Sequence, residues 1–150
     1  MNSLSNQTSW LIKAGLYPGT KIASGTSINT ITALFTGPTN GGLFTDILFR
    51  NSASTTVNLN IIWVQSGNTG GTSGILYAGP YFVNQIQIPA NAGSNGTTPL
   101  ASLAALAPLL FDLDLAGNRI ILAEAGDVIY VQNIAALTGD LNCFVKGRTF

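Results

Sequence analysis

The sequence predicts an all-β protein, an antiparallel β-sandwich or jelly roll of roughly seven to nine short strands with one short helical insertion. Three observations lead there. Apolar residues recur at every second position in several stretches, most cleanly around Val57, Leu59, Ile61 and Trp63. That period belongs to a half-buried strand, because successive side chains leave it on opposite sides. Clusters of Gly, Asn, Ser and Thr separate these stretches at fairly regular spacing, as turns do in sandwiches. Finally, only one stretch carries the chemistry that starts a helix.

Taken in order, residues 1–20 stand apart. Residues 1–9 are too polar to pack, and they precede a compact apolar group, Trp10, Leu11, Ile12, Leu16 and Tyr17, ahead of Pro18 and Gly19. The group is either the first strand of the sandwich or an arm lying on an adjacent subunit. Its residues cluster instead of alternating, which favours the arm. The chain is therefore divided into an N-terminal segment or arm, 1–20, and a β-sandwich domain, 21–150.

Residues 26–36, rich in Ile, Thr and aromatic side chains, read as a strand. The stretch GPTNGG (37–42) is a turn, since Gly and Asn tolerate positive φ and Pro fixes its own. A strand follows at 43–51, with Thr45, Ile47 and Phe49 on one face and Asp46, Leu48 and Arg50 on the other. The small polar residues SAST then close a hairpin into the strand at 55–65. On that strand Val57, Leu59, Ile61 and Trp63 face the core, while Asn58, Asn60, Ile62 and Val64 share the opposite face. Ser66 to Gly74 read as a loop, 75–77 as a short strand, and 81–88 as a longer one stopped by Pro89.

After a loop at 90–98, Thr98 can cap a helix and Pro99 suits its first position, with Ala and Leu continuing to Pro108. Strands at 119–123, 127–133 and 141–148 complete the chain, the first two joined by the turn Glu124-Ala125-Gly126-Asp127.

Charge is scarce. Charged residues are 8% of the 150, with six Lys+Arg, six Asp+Glu and no His, where ordinary soluble domains carry roughly 25%. A balanced, sparse charge excludes the basic footprint of a nucleic-acid or membrane-surface binder. The most apolar stretch, 100–115, is interrupted by Ser102, Pro108, Asp112 and Asp114, so it does not read as a membrane span. The N-terminus lacks the basic-then-apolar pattern of a Sec signal peptide, and the expectation is a soluble protein made in a cytoplasm. A near-neutral surface has little to repel a neighbour. The expectation is assembly, with Ile62 and Val64 as exposed contacts and the apolar group at 10–17 as a second set.

Chemistry is sparse too. Without His, the commonest general base and metal ligand are missing. Cys143 alternates with Leu141 and Val145 and reads as a core residue. Asp112 and Asp114 would share a face of an extended chain and suggest either a sugar-flanking pair or a Ca²⁺ ligand pair. A solvated edge is the better reading, because Ca²⁺ needs six or more oxygens. Glu124 and Asp127 bracket a turn in which Asp commonly bonds the local backbone. An enzyme is not expected, nor any cofactor or metal.

Six stretches carry a resemblance: LIKAGLYPG (11–19), TSINTITALF (26–35), FRNSASTTVNLNIIWV (49–64), IQIPAN (86–91), IILAEAGDVIYV (120–131) and FVKGR (144–148). Together they resemble small β-sandwich virion proteins of tailed bacteriophages, which combine a Thr-rich strand, an N-(S/T) turn, an IPAN turn, an L-x-x-GD turn and a closing strand. The resemblance implies a capsid decoration (cement) protein in the virion, bound non-covalently to the major capsid protein or another virion structural protein, and a homotrimer. A tail, neck or fibre component is the alternative. A carbohydrate-binding module using Trp10, Tyr77 and Tyr81 for stacking is a third reading. The chain departs from the pattern between 91 and 122, where about thirty residues replace a short link.

Overall fold

The computed structural model describes residues 13–67 and 81–149. Ten strands form two antiparallel sheets: β1 (Lys13–Ile22), β2 (Ile31–Thr36), β3 (Gly42–Asn51), β4 (Val57–Val64), β5 (Tyr81–Ile88), β6 (Ala101–Ser102), β7 (Asp112–Leu113), β8 (Arg119–Ala123), β9 (Val128–Asn133) and β10 (Leu141–Thr149). One sheet runs β1-β10-β3-β8-β7, with β6 also on β3; the other runs β2-β9-β4-β5. The early strands pair with the late ones, β1 with β10, β2 with β9, β3 with β8, and β4 with β5. A ribbon rolled in this way is a jelly roll.

The inner faces meet in one apolar core. Phe49, Leu59 and Ile88 are completely buried there, beside Ile47, Ile61, Val131 and Val145. Alternation along β4 and β10 puts Val57, Leu59 and Ile61 inward, and Leu141, Cys143 and Val145 opposite them, as their spacing predicts.

Four expectations need correction. The turn after β3 is not a hairpin, since β3 and β4 lie in different sheets and the chain arches between them. The alternation assigned to β3 fails at Thr45. Lys146 pairs with Asp46 but Gly147 pairs with Phe44, so Thr45 is an extra residue in a bulge. Phe44 therefore turns inward along with Ile47, at 2% and 1% exposure, and Thr45 does not join Ile47 and Phe49.

The helix is shorter than predicted and starts later. A single turn, α1 (Leu103–Leu106), is capped by the Ser102 hydroxyl, which accepts from Ala105 N. Thr98 instead accepts from the Asn95 side chain, Nδ2 to Oγ1 at 3.2 Å. The fourth correction concerns the segment assigned as an arm. Residues 13–20 belong to β1, whose Leu16 and Tyr17 pair with Lys146 and Val145 of β10, so this part is an edge strand of the sandwich. Trp10, Leu11 and Ile12 lie outside the described residues.

Trp63 is half-buried and packs on the edge of the main core, and its buried indole N–H has no hydrogen-bond partner among the described residues. Trp63→Ala is expected to cost about 2–3 kcal/mol in urea unfolding, less than a fully buried Trp. Trp63→Phe is expected to lie within about 1 kcal/mol of the parent, because it also removes an unpaired buried donor. A small loss for alanine would mean that the ring contributes little to the core.

Candidate interaction surface

Two ends and two flanks were available to function, and the ends are spent on structure. At one end, Asn51 is fully buried. Its side-chain N–H groups donate to Thr55 O and Pro89 O, both at 3.0 Å, and its Oδ1 accepts from Ala53 N at 2.9 Å. One amide thus ties the N-S turn to the IPAN turn. Asn133 does the same for its neighbours, donating to Ser27 O at 2.7 Å and Ala135 O at 2.8 Å. Nearby, the Lys21 ammonium pairs with Asp140 at 2.8 Å. That pair and a bond from Ser24 N hold the Asp140 carboxyl below its usual range. The stability this exposed group lends is present at neutral pH and fades as pH falls through its lowered value. At the opposite end, buried Asp127 accepts from Ser66 N at 2.8 Å and Glu124 N at 3.0 Å, the local role expected of an Asp in that turn.

The outer flank of β4 is also closed. Ile62 and Val64 are 1% and 5% exposed and pack with Ile31 and Tyr130. This corrects their assignment as exposed contacts: Tyr130 of β9 stands directly across from Ile62 and shares its face. Asn60 donates to Gln132 across the same strand pair at 3.1 Å. Uncharged amides suit this face because they bond one another.

The remaining flank is different. Residues 91–122 fold back against β3 through β6 and α1, and Leu103, Ala107, Leu110 and Phe111 enter the main core. Asp46, freed by the bulge, anchors the segment: one carboxylate oxygen accepts from Ser102 Oγ at 2.6 Å and the other from Ala104 N at 3.0 Å. Arg119 donates to Ala104 O at 2.6 Å from the far side. Asp46→Ala is expected to loosen this segment, with hydrogen-exchange protection falling at 102–106 while that of β4 and β9 is retained.

What the segment shows to solvent is leucine. Leu109, Leu113 and Leu115 are 88%, 68% and 111% exposed, with Leu122 of β8 nearby at 56%. Beside them lies an open groove of about 920 Å³ on the outer face of β3, β8 and β10. Leu43, Leu48 and Ile120 are among its lining residues, with Arg119, Lys146, Arg148 and the acid Asp114 also lining it. Half of the chain's six basic residues thus line one groove. The D-L-D-L alternation at 112–115 was visible in the sequence, but its position beside the groove depends on the fold.

Asp112 and Asp114 do not form a ligand pair. Asp114 is occupied by its own loop, accepting from Ala116 N at 2.9 Å and Asn118 N at 2.8 Å, with Asn118 Nδ2 at 3.0 Å. The bonds from Asn118 first, and the loop amides after them, hold its carboxyl below the usual range. Among the described residues no three His, Cys, Asp or Glu side chains come together as metal ligands would.

Cys143 is 2% exposed. Burial pushes its thiol up to about 12, against a small opposing effect of a backbone bond at Thr20. It is therefore a packing group. An aromatic disulfide reagent at pH 8 is expected to leave it untouched in the folded protein and to modify it fully in urea. Its stabilising contribution is complete below the unfolded value, about 8.5, and is lost as pH rises from there toward 12.

Tyr77 lies outside the described residues, and Tyr81 begins β5, paired with Val64. No protein-family model and no curated protein matches the chain.

Proposed function

We propose that this chain is a structural virion protein of a tailed phage, a capsid decoration protein that clamps neighbouring major capsid subunits without covalent chemistry. The observation that carries the reading is the segment 91–122, which leaves Leu109, Leu113 and Leu115 exposed, together with an open groove lined by Leu43, Leu48 and Ile120 and by Asp114, Arg119, Lys146 and Arg148; exposed apolar surface of this kind marks interaction sites. Jelly rolls also serve as capsid and lectin domains, which is support by analogy of fold alone. The resemblance of the turn motifs to small virion proteins points the same way.

Quantitative mass spectrometry of purified virions tests this. A decoration protein is expected at a copy number comparable to that of the major capsid protein. A handful of copies would assign the chain to the neck, tail or fibre, and its absence from virions would remove the virion reading.

A further inference from the structure

The edges of the two sheets are not alike. In the sheet that carries the groove, β1 contains Pro18, which has no N–H to offer, and its register shifts between Pro18 and Lys21. On the opposite side of that sheet, β6 and β7 are two residues each. In the other sheet, the register of β2 shifts between Ala33 and Phe35, and the Thr20 hydroxyl reaches across from β1 to donate to Ala33 O at 2.9 Å. Bulges, prolines, charges and short lengths keep an edge from pairing with another chain. β5 has none of these. Its eight residues hold no charge and no proline, and its register against β4 runs unbroken from Tyr81 to Ile88. Among the described residues β4 is its one strand partner. Along its other side, every second residue therefore presents an N–H and a C=O without a ladder bond among the described residues.

We propose that β5 pairs with β5 of a second copy, antiparallel and about a two-fold axis normal to the sheet, joining two four-stranded sheets into one continuous sheet. A head-to-tail contact would need the β2 edge, which is irregular and held by Thr20, whereas an isologous pair uses β5 alone. The faces fix the register. Ile86 and Ile88 point into the core, at 2% and 0% exposure, while Gln85 and Gln87 are exposed beside Asn60 and Asn58 of β4. A slip of one residue would set core positions against solvent positions. With Ile86 across from its own copy, Gln85 meets the second copy's Gln87 in both directions, and residues 84–88 pair up to Pro89. The amides then bond across the axis as Asn60 bonds Gln132 within the chain, and no charge loses its water. This edge belongs to the sheet opposite the groove, so the contact stands apart from the virion reading, and shell binding plays no part in its test.

Sedimentation of the full chain across micromolar concentrations is expected to show a dimer that salt changes little, since no charges meet. Gln85→Lys with Gln87→Lys sets like charges across the axis and is expected to raise the dissociation constant at least about tenfold. Gln85→Lys with Gln87→Glu instead sets opposite charges across it, and this variant is expected to dimerise like the parent while becoming sensitive to salt. Amide exchange at 84–88 is expected to slow as the parent is concentrated, with β2 unchanged. Both substituted positions are exposed, and melting temperatures near that of the dilute parent establish that the variants are folded. A monomeric parent, a dimer indifferent to the two lysines, a lysine–glutamate variant as weak as the double-lysine one, or a dimer with unchanged exchange at 84–88 would overturn the proposal.

Discussion

Replacing Asn51 with alanine is expected to destabilise the fold by about 4 kcal/mol, measured by urea unfolding. The side chain makes three hydrogen bonds from a fully buried position, and its removal strands Ala53 N, Thr55 O and Pro89 O. Each buried group left without a partner costs about 1–3 kcal/mol. The groups lie within two loops, so some recover bonds to water and the sum falls below three full penalties. Asn51→Asp is nearly the same size yet expected to do no better, because a carboxylate has no N–H to offer two carbonyls. A loss below about 1 kcal/mol for both variants would mean that the arch from β3 to β4 holds itself without this amide.

The second large effect is expected at Gly147. A Cβ there would lie 2.5 Å from Leu43 O and 2.7 Å from Phe44 Cα, at the bulge where β10 passes β3. These are backbone atoms within a paired strand, so they cannot move aside as a side chain can. Gly147→Ala is expected to cost roughly 3 kcal/mol or more, at or beyond the top of the usual overpacking range. Arg148→Ala next door, on an exposed outward side chain, is expected to stay within about 0.5 kcal/mol. Equal losses at the two positions would show that the close approach is not the cause. The bulge also frees Asp46 to cap α1, so Gly147→Ala should reduce exchange protection at 102–106 along with β3 and β10.

The scarcity of charge leaves polar contacts to amides and hydroxyls, some of which are used within the chain. Asn51, Asn133 and the Asn60–Gln132 pair satisfy loop backbone and one another. These amides work inside a single jelly roll and do not by themselves imply a partner. The implication of a partner comes instead from five exposed leucines on 91–122: Leu100, Leu109, Leu113, Leu115 and Leu122.

By itself, the sequence determined the all-β class, most strand positions, the inward faces of β4 and β10, the core role of Cys143 and the turn role of Asp127. Each of these follows from periodicity or turn chemistry within a few residues, where steric and hydrogen-bonding preferences act locally. Only the tertiary structure decided that β3 and β4 part into different sheets, that Thr45 bulges, and that residues 13–20 form an edge strand instead of an arm. Tertiary contacts also started the helix at Ser102, where Asp46 was waiting with a carboxylate, and buried Ile62 and Val64 beneath Tyr130. The candidate surface falls on the same side of this division, because a groove is made by strands distant in sequence. Alternation tells a strand which of its residues share a face, but what covers that face depends on pairing partners roughly seventy to a hundred residues away, such as Tyr130 across from Ile62 and Lys146 across from Asp46.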